Sequence, residues 1–183
     1  MQARTQEILD YLDQQRVQLR AAFNSVPLAR QAQPQAPDRW SAVGVIEHLA
    51  KTETNLAARL AARIEDARAQ GLGAETETSP LLATWGILGR VLDRTEKVTA
   101  SQAVQPAGLD AEDAWDALEQ AGEGVRMVLR ASDGLALETT QIPFSRFGEV
   151  SIYFMFAFVG AHEARHALQI REIAISKVHA VIF

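Results

Sequence analysis

The sequence predicts an all-α protein, an antiparallel four-helix bundle with at least one long connection. Four long stretches place apolar residues three and four positions apart, two of them behind good capping residues, and no strand alternation of useful length is present. At 183 residues the chain is long enough for one domain with a real core, so residues 1–183 are expected to form a single domain with no sheet beyond a stray bridge.

The first helix is expected from Arg4 to Phe23, with Ile8, Leu12, Leu19 and Phe23 on one face. A Pro- and Gln-rich linker from Val26 to Arg39 ends it. Ser41 is a good N-cap for the second helix, and Trp40 and Val45 stand where a hydrophobic staple would fix its entry. Its stripe is Val45, Leu49, Leu56, Leu60 and Ile64, and it should run out near Gly71-Leu72-Gly73. The long connection between the second and third helices, from Ala74 to Gly108, is expected to hold one or two short helices within Leu81–Val98, interrupted by Gly86 and Gly89. Asp110 caps the third helix, whose Ala114, Leu118, Ala121, Val125 and Val128 keep the three-and-four step. A loop from Ser132 to Gly148 carries Pro143, and the fourth helix is expected from Glu149 to Lys177. No internal repeat is visible.

Composition removes several classes of function. There is no cysteine, hence no disulfide, no thiolate metal site and no cysteine nucleophile. The net charge of -5 is spread along the chain, whereas nucleic acid would call for a basic stripe. Met1 to Glu7 lacks the apolar core of a signal peptide, and Val150 to Ala161, though almost wholly apolar, is too short to span a bilayer. A cytoplasmic location without a membrane partner is expected.

The chemistry-bearing stretch is Ala161-His162-Glu163-Ala164-Arg165-His166. Two of the chain's four histidines stand here one helical turn apart, so their imidazoles share a face. His48 falls among Val45, Leu49 and Thr52 on the second helix and points to the bundle interior or its rim. Three neutral imidazoles from two helices can hold a transition metal and leave a position open. Residues alone balance this against hydrogen-bonded core histidines. The same stretch matches the H-E-x-x-H pattern of zinc peptidases, but the extended form of that pattern wants Gly at Gln169 and His at Glu172. Glu163 lies about 100° from His162 and, like Glu47 beside His48, reads equally as an ion-paired helix residue. His179 falls on another face and is expected at the surface. Thr52, Asn55, Arg59, Phe158 and Gln169 share faces with the three histidines and are the expected pocket lining, Arg59 being the candidate for an anionic group. Trp40, Trp85 and Trp115 read as core anchors, with Trp85 also placed to wall a pocket.

Trp40-Ser41-x6-His48-Leu49-Ala50, the Phe147-Gly148 step and His162-Glu163-x-x-His166-x-x-Gln169-Ile170, with Leu92-Asp93-Arg94 and the Leu109-to-Leu129 segment in order between them, resemble the DinB-like (damage-inducible, YfiT-like) metalloprotein family. This family is distinct from the DNA polymerase that shares the name. The resemblance implies an up-down-down-up bundle. It also implies a triad of one His on the second helix and an H-x3-H pair on the fourth, at His48, His162 and His166. It further implies one divalent metal, nickel or zinc, and often a homodimer. Characterised relatives are thiol-dependent S-transferases or isomerases using mycothiol, bacillithiol or glutathione, and others are described as metal-dependent hydrolases. The leading expectation is a metal-dependent enzyme that activates a low-molecular-weight thiol, or water, against a small-molecule substrate. The rival is a non-catalytic metal- or ligand-binding stress protein. A third reading is an interaction module, its apolar Val178–Phe183 tail serving a dimer contact.

Overall fold

The computed structural model describes residues 1–86, 88–95, 99–144 and 147–176. Helix α1 spans Ala3–Asn24, α2 is a single turn at Leu28–Gln31, and α3 runs Ala42–Ala69. The long connection that follows holds a 3₁₀ turn at Leu82–Thr84, the short α4 at Leu88–Leu92 and a second 3₁₀ turn at Gln102–Val104. Helix α5 is Ala111–Ala131, strands β1 and β2 are Gln141–Phe144 and Gly148–Ser151, and α6 is Ile152–Ile175. Local chemistry explains the starts. The side chains of Ser41, Asp110 and Ser151 accept from the amides of Gly44, Asp113 and Phe154 and satisfy donors that a helix leaves open.

Three expectations are corrected. A two-stranded antiparallel sheet replaces the end of the expected loop, with Gln141 opposite Ser151 and Phe144 opposite Gly148. Its alternation is four residues long, too short to register in sequence, yet it turns Ile142 and Phe144 onto the core. Gly148 takes φ 77°, a conformation that a side chain would strain. Because Glu149 and Val150 belong to β2, the last helix begins at Ile152 under the Ser151 cap rather than at Glu149. Gly89 does not interrupt a helix but lies within α4. Lys177, Val98, His179 and the Val178–Phe183 tail lie outside the described residues.

The Pro27-led turn α2 does more than link. Arg30 donates to the carbonyls of Ile173 and Ser176 at 2.8 and 2.9 Å, which satisfies the carboxyl end of α6 with a cation, as the helix dipole favours.

Among the described residues, two hydrophobic clusters form the core. One gathers Ile8, Leu12, Leu56, Leu60, Val125, Leu129, Tyr153 and Phe156; the other gathers Leu19, Phe23, Val45, Leu49, Trp115, Leu118, Ala167 and Ile170. Each long helix contributes to both. Along the chain α1 and α6 pass from the first cluster to the second, whereas α3 and α5 pass from the second to the first. Helix α1 packs against α6, α3 packs against α5, and α3 also touches α6.

Where the two clusters meet, a charged layer crosses the interior. Arg16, 8% exposed, donates through Nη2 to Glu53 Oε2 and Glu163 Oε1, both at 2.8 Å, and through Nη1 to the Leu118 carbonyl at 3.1 Å. Gly122 makes room for it: a Cβ there would stand 2.6 Å from Arg16 Nη2. Burial disfavours the Arg16 cation, but the Glu53 and Glu163 carboxylates outweigh that and raise its pKa. Burial and the Glu163 charge hold the Glu53 carboxyl well above the usual carboxylate range.

Candidate metal centre

Helix α3 carries His48 about two turns beyond its Ser41 cap, and α6 carries His162 and His166 one turn apart. The contact between these helices brings the three rings together. Ring centroids lie 5.3 Å apart for His48 and His162, 5.0 Å for His48 and His166, and 4.6 Å for His162 and His166. One ligand nitrogen from each lies within 4.8 Å of the other two, and the Nε2 atoms of His162 and His166 are 3.1 Å apart. Two ligands about 2.1 Å from one ion, at angles of 90–110°, have nitrogens roughly 3.0–3.4 Å apart, so the pair has the spacing a metal requires.

The electrostatics keep these rings neutral. Burial is the largest cause at all three. It holds His48 below the usual histidine range, His162 down to about 3 with help from His48 and Arg165, and His166 well below, with the other two histidines adding to the effect. An imidazole that is already neutral offers its lone pair without first losing a proton. The donor set, three imidazole nitrogens and no thiolate, suits a first-row transition ion such as zinc, copper, iron or nickel.

The surroundings of the trio were only partly legible in sequence. Phe158 stacks on His162 at 14° and 5.4 Å, and Gln169 Oε1 lies 2.8 Å from His166 Nδ1. Thr52 turns its hydroxyl back to the His48 carbonyl at 2.9 Å, while Asn55 and Arg59 are exposed. Asn55 borders a separate surface hollow with Lys51, Thr54, Ala103 and Leu109. Trp40, expected as a core anchor, also faces His48 with its ring centroid 4.7 Å away. Trp85 packs edge-on against Phe154 at 5.6 Å.

The two carboxylates beside the histidines have structural partners. Glu163 is 1% exposed and bonds to Arg16. Glu47, also 1% exposed, accepts from the amides of Ala107, Gly108 and Leu109 and pairs with Lys51 at 2.9 Å. Burial alone would raise the Glu47 carboxyl, but Lys51 and the three amides hold it down to about 2. Through these bonds Glu47 fixes the loop whose Val104 carbonyl meets His48 Nδ1 at 2.9 Å. The sequence reading did not single out Arg16 or Glu53. The available signal was phase: Arg16 stands four after Leu12 and three before Leu19, and Glu53 four after Leu49 and three before Leu56, both on apolar stripes.

This is a helical protein in which two helices bring together three histidines that could hold a metal ion. Comparison with known families places it more closely: the sequence profile of the DinB superfamily matches residues 11–170, and the chain belongs to that superfamily. No curated protein and no solved structure matches it significantly.

Proposed function

We propose that the chain is a metal-dependent enzyme whose His48, His162 and His166 hold one divalent ion, nickel or zinc, in a DinB-like up-down-down-up four-helix bundle. The convergence of three imidazoles is the observation that carries the site, and burial favours their neutral form. The bundle reading is supported by the opposite passage of α1 and α6 against α3 and α5 through the two core clusters. When bound, such an ion lowers the pKa of a coordinated water or thiol and so supplies a nucleophile near neutral pH. The chain's own part is to orient the rings, through Val104, Gln169 and Phe158, and to keep them unprotonated by burial. Family resemblance favours a low-molecular-weight thiol as the activated group, in transfer to an electrophilic small molecule; hydrolysis by activated water needs the same triad. A cytoplasmic homodimer completes the proposal. Among the described residues no helix is long and apolar enough to cross a membrane.

One observation favours a second reading, a non-catalytic metal- or ligand-binding stress protein. Glu47 and Glu163, the acids nearest the histidines in sequence, are both engaged in structural bonds. The deciding experiment is metal analysis of protein purified without a His tag. It is followed by turnover assays against electrophiles with mycothiol, bacillithiol and glutathione in turn, and against esters and amides without thiol. Turnover lost in His48→Ala and kept in His179→Ala supports the enzyme. Bound metal with no turnover in any assay supports the binding protein, and absence of metal binding defeats both metal readings. Light scattering tests the dimer.

A further inference from the structure

A neutral imidazole carries one proton, and its position decides which nitrogen can bind a metal. His48 Nδ1 lies 2.9 Å from the Val104 carbonyl, which can only accept, so Nδ1 carries the proton and Nε2 keeps its lone pair. His166 repeats the arrangement with a side chain: its Nδ1 lies 2.8 Å from Gln169 Oε1, three residues on, while its Nε2 faces His162 Nε2. We propose that Gln169 is a positioning residue that holds His166 in the Nδ1–H form, with the Nε2 lone pair turned toward His48 and His162.

Gln169 is half-buried on the same helix as its partner, so the bond costs little reorganisation. A reversed amide would donate to Nδ1 instead and move the proton to Nε2, the nitrogen nearest the other two rings. The contact between His162 and His166 then has a definite sense: His162 Nε2–H donates and His166 Nε2 accepts. In the metal-free protein two rings are therefore set for ligation by partners outside the trio. His162 has to shift its Nε2 proton to Nδ1 before Nε2 can bind, and Phe158 holds its ring plane meanwhile. The role proposed for Gln169 rests on the metal reading above only for its purpose, and the first measurement below is independent of it.

The test uses the full chain in metal-free form. Long-range proton–nitrogen correlation spectra of ¹⁵N-histidine-labelled protein report the tautomer of each ring. His166 is expected as Nδ1–H in the wild type and in Gln169→Glu, whose carboxylate can only accept. That form should give way to an Nε2–H or mixed population in Gln169→Leu. Zinc affinity, read by competition with a chromophoric chelator, should fall about 10–100-fold in Gln169→Leu and be retained in Gln169→Glu. An unchanged melting temperature of the metal-free Leu variant shows that the fold is intact, and Gln169→Ala replaces it if it does not fold. An Nε2–H tautomer at His166 in the wild type, or an Nδ1–H tautomer that survives removal of the Gln169 oxygen, overturns the assignment. A wild type that shows the expected tautomer yet binds no zinc leaves the positioning role standing and defeats the metal reading.

Discussion

Replacing Arg16 by Met should be among the most damaging single changes in this protein. The guanidinium makes three bonds of 2.8–3.1 Å to Glu53 and Glu163, and those carboxylates have side chains only 2% and 1% exposed. Methionine fills much of the volume but leaves the acids without a cation. Breaking a buried pair in this way costs about 3–5 kcal/mol, because the uncompensated charge cannot reach water. The half-exposed Glu119, 3.3 Å from Arg16, adds little, since screened surface pairs are weak. With a urea slope of about 2 kcal/mol/M, the unfolding midpoint at pH 7 should fall by about 2 M. Glu53→Gln should cost about 1 kcal/mol or less at pH 7, because its amide oxygen can still accept from Arg16 Nη2 and burial favours an uncharged side chain at this position. It should also change the pH dependence. A raised folded-state pKa means that the unfolded chain releases this proton first as pH rises above 4.5, so Glu53 makes the wild type lose stability upward from there. The glutamine variant should lack that slope. A midpoint shift below about 0.5 M in Arg16→Met, or about 1 kcal/mol, would refute a structural role for the layer.

The remaining predictions concern neighbouring features. Glu47→Ala should lose about 3 kcal/mol at neutral pH, the equivalent of holding a carboxyl at about 2 instead of 4.5. Because that pKa is depressed, the wild-type contribution is complete above 4.5 and vanishes as pH falls toward 2, so wild-type and variant melting temperatures should converge in acid; a constant gap would contradict the assignment. Gly122→Ala adds only a methyl group, but its Cβ would stand 2.6 Å from Arg16 Nη2 and 2.9 Å from Arg126 Nη1. It should destabilise by about 1–3 kcal/mol despite the better helix propensity of alanine, and a stabilised variant in thermal melts would show that the layer yields freely.

Local rules carried the sequence reading far where structure is itself local. The Ser41 and Asp110 caps, the apolar stripes and the one-turn spacing of His162 and His166 depend only on residues a few positions apart, and each is readable without knowing what the helix packs against. The motif order of the DinB superfamily was readable too, since it is a property of the chain and not of its packing. The hairpin escaped because four residues cannot establish an alternation, and Pro143 looks like a loop residue until Glu149 is set opposite it.

Tertiary structure alone decided which polar residues meet. Arg16 reaches Glu163 across 147 positions and Glu53 across 37, and nothing local to any of the three names its partner. The same holds for Glu47, whose carboxylate holds amides 60–62 residues away, and for Trp40 against His48, where a helix-entry residue became a wall of the site. Spacing placed Glu163 about 100° from its neighbour His162, but only the packing of α1 against α6 turned that angle into a bond with Arg16. Periodicity assigns a residue to a helix face; which partner covers that face, and so whether its charge becomes a ligand, a base or an ion pair, is fixed by contacts between helices distant in sequence.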